Sequence, residues 1–236
     1  MVKYSERAII IVLLLLFNLC KIYSQELGNP ISNLNTNEFN VSFYMEKVWR
    51  EMDDSDYSSY RIITKTEFGF NSRFKIFGLL GGEKMYIDYP VNRNLTNYKG
   101  KIEFAVGGGM QMELLNIKKT SFFTGTGILE TYSRGSVVSD VAGQIDMKFD
   151  WREYWFALGA SHETKRFEFY GGIETRRAKR LEKISEEEYV SKLKPNLFTG
   201  IDILLPKNFV INVHLKTLDQ SVVSVGISQR SIGKLK

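Results

Sequence analysis

The sequence holds one cysteine, Cys20, and it lies within the first 24 residues. A mature chain that begins after them has no thiol, which excludes disulfides, thiolate metal sites and cysteine nucleophiles. Histidine is almost as scarce. His162 and His214 are the two present, and they are too far apart to give a ligand cluster of recognised metal spacing. After Phe17 there is no run of about 18 apolar residues, so helical membrane spans are excluded. Charge of one sign is also lacking. Without Lys3, Arg7, Lys21 and Glu6 the formal charge falls from +5 to about +3, too mild to argue for nucleic acid. The triplet Gly107–Gly109 opens no helical pattern, so a phosphate loop is excluded and no cofactor is implied.

What is present starts with an export signal. Lys3 and Arg7 precede the apolar run Ala8 to Phe17, and Ile22-Tyr23-Ser24 ends on a small residue. Residues 1–24 are therefore expected to be a signal peptide, 25–38 ("QELGNPISNLNTNE") a flexible leader, and 39–236 one domain.

That domain beats with a period of two, the spacing of β-strands with two unlike faces. Phe209, Ile211, Val213 and Leu215 alternate with Asn212, His214 and Lys216; after Leu218-Asp219-Gln220 the beat resumes with Val223, Val225 and Ile227. "KIEFAVGGGMQMELL", "QIDMKFDW" and "RFEFYGGIETR" carry the same alternation, with a turn expected at Trp151 to Tyr154 and a loop at Pro90 to Asn97. The charged stretch Arg177 to Lys194 reads as a solvated loop with a helical turn or two. Arg176, just before it, and its cations Arg177, Lys179 and Arg180 form a candidate grip for lipid phosphates.

Alternation does not say which face is inside, but the occupants of the polar face do. That face carries Gly107, Gly109, Gly172, Gly200 and Gly226, which waste backbone entropy on a wetted sheet and make room in a narrow lumen. The expected lumen set is Arg61, Lys65, Glu67, Glu103, Glu113, Asp146, Lys148, Asp150, Glu168, Glu174, Arg176, Asp202 and His214. The expected lipid-facing set is Ile145, Met147, Phe149, Phe167, Phe169, Phe209, Ile211, Val213 and Val225. Trp49, Trp151, Trp155, Tyr154 and Tyr170 fall where aromatic girdles would lie.

An export signal followed by serial amphipathic hairpins, with Gly-rich strands such as "FAVGGGMQME" and "LFTGIDILLP", resembles the outer-membrane β-barrel proteins of Gram-negative bacteria, small OmpA/OmpX-like or porin-like barrels. The chain departs from them in ending "SVGISQRSIGKLK", without their terminal aromatic. The resemblance implies an all-β, antiparallel up-and-down transmembrane β-barrel of about ten strands, within a range of eight to twelve. It also implies location in the outer membrane, with lipid including lipopolysaccharide and the insertion machinery as partners.

The expected role is non-enzymatic: structural, surface-interaction or small-solute, around a polar lumen largely filled by side chains. An exported lipocalin-like barrel that binds a hydrophobic ligand is the alternative. A lipid hydrolase is a lesser one, since a three-residue turn at Leu218-Asp219-Gln220 would set His214 opposite Ser224, with Asp202 nearby.

Overall fold

In a computed structural model the described residues are 37–229, apart from 53–54, 90–96, 140–142, 184–187, 192 and 219. The expected signal peptide, nearly all of the leader and most of the Pro90 to Asn97 loop lie outside them.

The strands are β1 (Phe39–Met52), β2 (Ser55–Gly69), β3 (Phe74–Asp88), β4 (Tyr98–Ile117), β5 (Thr120–Ser139), β6 (Gly143–Glu163), β7 (Phe167–Glu182), β8 (Glu188–Val190), β9 (Lys194–Leu204), β10 (Phe209–Leu218) and β11 (Gln220–Gln229). Each pairs antiparallel with its chain neighbour, except that β7 pairs with both β8 and β9. β1 also pairs with β11, and β6 with β7, which closes the ring. With β8 a three-residue strap on β7, the ring has ten strands, the number expected from the hairpins. Closure leaves no open edge around the wall, the condition for a sheet to survive in hydrocarbon.

Both described termini lie at one end, where the connections are tight. Asn71 Oδ1 accepts from the backbone N–H groups of Arg73 and Phe74 at 2.8 and 2.7 Å, and Thr164 Oγ1 donates to the Phe167 carbonyl at 2.8 Å. The opposite end carries the longer connections, 89–97 and 183–193. Short turns at one end and longer loops at the other are the usual asymmetry of outer-membrane barrels. β4, β5 and β6 run 20, 20 and 21 residues, against 11, 10 and 10 for β9, β10 and β11. About ten residues suffice to cross a bilayer, so this side of the wall rises past the membrane at the loop end.

The outward face is the apolar one over the middle of the wall: Ile102 is 74% exposed, Met45 67% and Ile62 61%, with Leu80, Phe104 and Phe156 among them. Phe167, Phe169, Phe209, Ile211, Val213 and Val225 point outward as expected. The two girdles differ in chemistry. The turn end is ringed by phenylalanine, with Phe39–Phe68 at 4.9 Å, Phe68–Phe70 at 5.0 Å and Phe167–Phe169 at 6.2 Å. The loop-side boundary carries Trp49, Tyr60, Tyr86, Tyr132 and Tyr154, whose polar tips suit the headgroup layer. Trp151, Trp155 and Tyr170, expected in a girdle, are instead buried inside.

β6 corrects the sequence reading most. It has no turn at Trp151 to Tyr154; its alternation is unbroken from Gly143 to Glu163. Ile145, Met147 and Phe149, expected to face lipid, point inward, while Asp146 and Lys148, expected in the lumen, are exposed on the outer wall. Asp150 is also outside, paired with Lys183. The cause is the height of this hairpin. Beyond the bilayer the outer face meets water and is polar, and the inner face closes over the lumen and is apolar, so the polarity of the two faces exchanges along one strand.

β7 likewise runs to Glu182, and strap β8 stands where a helical turn was expected. Strand geometry splits the supposed phosphate grip: Arg176 and Arg180 are buried inside, Arg177 and Lys179 lie outside.

Candidate functional site

The inward face is layered. Along β2 the inward residues read Tyr57, Ser59, Arg61, Ile63, Lys65; along β3, Met85, Glu83, Gly81, Leu79; along β6, Trp151, Glu153, Trp155. On each strand a charged residue separates two apolar ones. Those toward the loops belong to one cluster, with Met52, Ile87, Tyr98, Val137, Met147 and Phe149, which caps the lumen. Those toward the turns belong to a second, with Phe77, Phe123, Ala157 and Phe198. Between the clusters lies an ionic belt.

Glu153 is its hub. Its carboxylate accepts from Arg61 Nη2 at 2.8 Å, Arg176 Nη1 at 2.6 Å and Trp151 Nε1 at 2.7 Å, with Arg50 Nη1 at 3.6 Å. Arg61 Nε reaches Glu83 at 2.5 Å, and Glu83 also accepts from Tyr57 and from Thr131 Oγ1. Arg176 Nε donates to Glu174 at 2.9 Å, whose other oxygen takes Lys216 Nζ at 2.6 Å. Arg50 donates to Gln220. Cross-strand register builds one side directly, since Glu46, Arg61 and Glu83 stand opposite one another on β1, β2 and β3. With Glu46 buried on β1 opposite Arg61, four cations (Arg50, Arg61, Arg176, Lys216) share the belt with four carboxylates (Glu46, Glu83, Glu153, Glu174). Burial of any of these charges alone would be prohibitive, and the belt is neutral as a unit. Aromatic faces complete it: the Arg176 guanidinium lies 4.7 Å from the Trp155 ring centre, and Tyr57 stacks on Trp151 at 4.2 Å.

Toward the turns a second polar layer uses the remaining expected residues. Lys65 pairs with Glu67 at 2.9 Å, Asn40 donates to Glu67 at 2.7 Å, and Asn212 donates to Asp202 at 2.7 Å. Glu168 is buried in the same layer, while Glu103 and Glu113 are inward and half-buried. Glycine makes the room the sequence suggested. Phe77 and Trp155 stack at 6.5 Å across β4 and β5, where the residues between them are Gly109 and Gly127; a Cβ there would meet Phe77 Cζ at 2.5 Å and Trp155 Cζ2 at 2.4 Å.

His214 does stand opposite Ser224, as expected from the three-residue turn. Its Nδ1, however, meets the Tyr170 hydroxyl at 3.2 Å, and its ring stacks between Tyr170 and Phe198 at 5.5 and 5.8 Å, while Asp202 is engaged by Asn212. A hydrolytic triad needs the imidazole hydrogen-bonded to nucleophile and carboxylate, whereas His214 Nδ1 faces a tyrosine hydroxyl and Asp202 accepts from an amide.

Glu46, Arg50, Glu83, Glu153, Arg180 and Lys216 are absent from the residues singled out for the lumen. An unbroken period of two through "KFDWREYWFALG" would have placed Glu153 inward, between Trp151 and Trp155.

No protein-family model matches the chain, and no curated protein matches its sequence. Solved structures do. The translocator domain of the autotransporter NalP from Neisseria meningitidis is similar at a TM-score of 0.52 and 9% identity, over 83% of this chain and 89% of that one. The beta domain of the Bordetella autotransporter BrkA gives 0.50 at 12% identity, over 82% and 98%. An outer membrane channel from Pseudomonas putida F1 gives 0.50 at 8% identity, over 88% and 100%. At such identities the shared property is the fold.

Proposed function

We propose that this chain, which has the fold of the Gram-negative outer-membrane β-barrels, is an integral outer-membrane protein whose closed lumen serves as a rigid core and whose work is done at its surface. The observation that carries the reading is the belt of Arg50, Arg61, Glu153 and Arg176. It joins β1, β2, β6 and β7 across the lumen with side chains that solvent scarcely reaches. An ion crossing such a barrel would have to part several charge-assisted hydrogen bonds and then pass the apolar cap, both at high cost.

The apolar outer belt supports membrane insertion over the lipocalin-like alternative, in which the greasy face would be enclosed. The pairing of His214 with Tyr170 supports a non-catalytic role.

Reconstitution in planar lipid bilayers tests the closed core. The expected result is an insulating protein, with carbonate-resistant membrane association and a heat-modifiable gel band confirming that it is folded and inserted. Reproducible single-channel steps from the unaltered chain would replace this reading with that of a small-solute channel.

A further inference from the structure

Several charges on the outer wall near the loop end are answered within the chain. Arg152 holds Glu130 at 2.9 Å, Lys179 holds Glu188 at 2.8 Å, and Lys183 holds Asp150. Two rows beyond the loop-side aromatic residues are not. Glu51, Asp56 and Asp88 stand directly opposite one another on β1, β2 and β3, and all three are exposed. On the next sector of the wall Arg134 of β5 stands directly opposite Lys148 of β6. Lys101 of β4, beside the Gly100–Gly135 pair, flanks Arg134 on its other side, and these three are exposed as well. Among the described residues none of the six has an ion-pair partner. Like charges directly opposite on neighbouring strands destabilise a sheet, so each row works against the isolated fold.

Nearby charges leave both rows in place. Lys47 and Lys84 lie two outward positions nearer the membrane than the acidic row, with their ammonium groups against the rings of Trp49, Tyr60 and Tyr86. Lys99 and Asp146, the next outward charges above the basic row, share one row through Ser136 and offset each other. The two rows also stand at nearly one height. The acidic row is 12 to 14 residues from the turn-end limits of its strands, and the basic row 14 to 16. At about 3.3 Å per residue and a tilt of about 40°, the difference is about 5 Å. A bilayer holds every copy upright at one depth, so rows of opposite sign at matching height meet when two barrels come alongside. The sectors are centred on β2 and β5, three strands apart in the ring, so the two rows of one barrel face different neighbours.

We infer that this charged wall is a self-association surface, on which the acidic row of β1, β2 and β3 in one copy docks against the basic row of β4, β5 and β6 in a second copy. The contact is head to tail rather than two-fold, so each copy keeps one row free for a further neighbour. Exposed, charge-led contacts of this kind are transient and specified by electrostatic complementarity. The inference rests on the membrane-barrel reading above and adds a partner to it.

The test is energy transfer between donor- and acceptor-labelled copies in phosphatidylcholine vesicles, where the lipid brings no net charge. Each copy carries its dye on K119C, in the tight turn between β4 and β5 at the opposite end. The unaltered rows should give transfer above the random-collision level, and that excess should vanish at about 1 M salt, where the screening length is about 3 Å. E51K/D56K/D88K and K101E/R134E/K148E should each associate roughly ten-fold more weakly alone, as expected for three exposed pairs of modest strength. Mixed with one another, the two variants should regain the lost transfer, because each then presents the row the other lacks. No excess from the unaltered rows, which would leave them to a charged partner of another kind, would overturn the surface. So would equal transfer before and after reversal, or no recovery on mixing, with the heat-modifiable band still reporting folded barrels. Failure of the barrel reading itself would appear separately, as a protein soluble without detergent.

Discussion

Glu153→Gln changes one atom of the side chain and removes the charge on which three arginines converge. In the native belt four cations face four carboxylates; after the substitution Arg50, Arg61 and Arg176 keep their burial while their shared partner becomes neutral. Arg61 retains Glu83 and Arg176 retains Glu174, so the loss is one net buried charge rather than collapse of the whole network. Removal of one partner from a buried ion pair typically costs about 3–5 kcal/mol, and that is the expected loss here. Glu130→Gln is the matched control. It breaks one pair on the outer wall, Glu130 with Arg152, whose side chains are 29% and 50% exposed, and such pairs are worth about 0–1 kcal/mol. Equilibrium urea unfolding in lipid vesicles measures both. Trp151 and Trp155, which flank the hub, serve as fluorescence reporters. Equal, small losses for the two variants would refute the view that the belt is a desolvated, mutually dependent unit.

Other outcomes follow from the same geometry. Val213→Arg places a charge on the lipid-facing wall and should cost about 2–4 kcal/mol if it lies near mid-bilayer. Val138→Arg, at a position 49% exposed on the part of β5 beyond the membrane, should stay within about 0.5 kcal/mol in the same unfolding assay. Gly127→Leu drives a side chain into the Trp155 ring and should destabilise by about 1–3 kcal/mol with a changed near-ultraviolet tryptophan signal, whereas Gly78→Ala, with nothing within 4 Å of its new Cβ, should be silent in both. Lys179 donates to Glu188 in the loop strap and holds its carboxyl below the ordinary value. Its contribution is therefore present above the usual carboxylate range and lost as pH falls through the lowered value. An NMR titration of Glu188 should shift back up in Lys179→Met.

The sequence made most of the wall legible, because lipid on one side and a packed lumen on the other impose one polarity per face. β10 and β11 show it best: the register of His214 with Ser224 and the outward Phe209, Ile211 and Val213 all follow from a period of two. β6 was misread where its environment changes. Its inner face is apolar at Met147, Phe149 and Trp151 and its outer face is apolar at Tyr154, Phe156 and Leu158. The exchange of phase between them mimics a turn, and it hid Glu153, which belongs to the point of exchange. Arg177 to Glu182 was obscured in a similar way, since a strand above the membrane carries charge on its outer face and looks like a loop. The assembly of the belt was not legible at all, because it depends on side chains from β1, β2, β3, β6, β7 and β10 that approach only when the ring closes.

Site-directed spin labelling of the reconstituted protein tests the orientation of the wall most directly. Labels at residues 209, 211, 213 and 215 should show high collision rates with oxygen dissolved in hydrocarbon, and labels at 210, 212, 214 and 216 low ones. On β6, labels at 146 and 148 should be accessible to a water-soluble nickel chelate, with 147 and 149 protected. The reverse alternation on β10, or oxygen-rich lipid contact at 147 and 149, would contradict a barrel whose aliphatic face meets the bilayer and whose charges are locked inside.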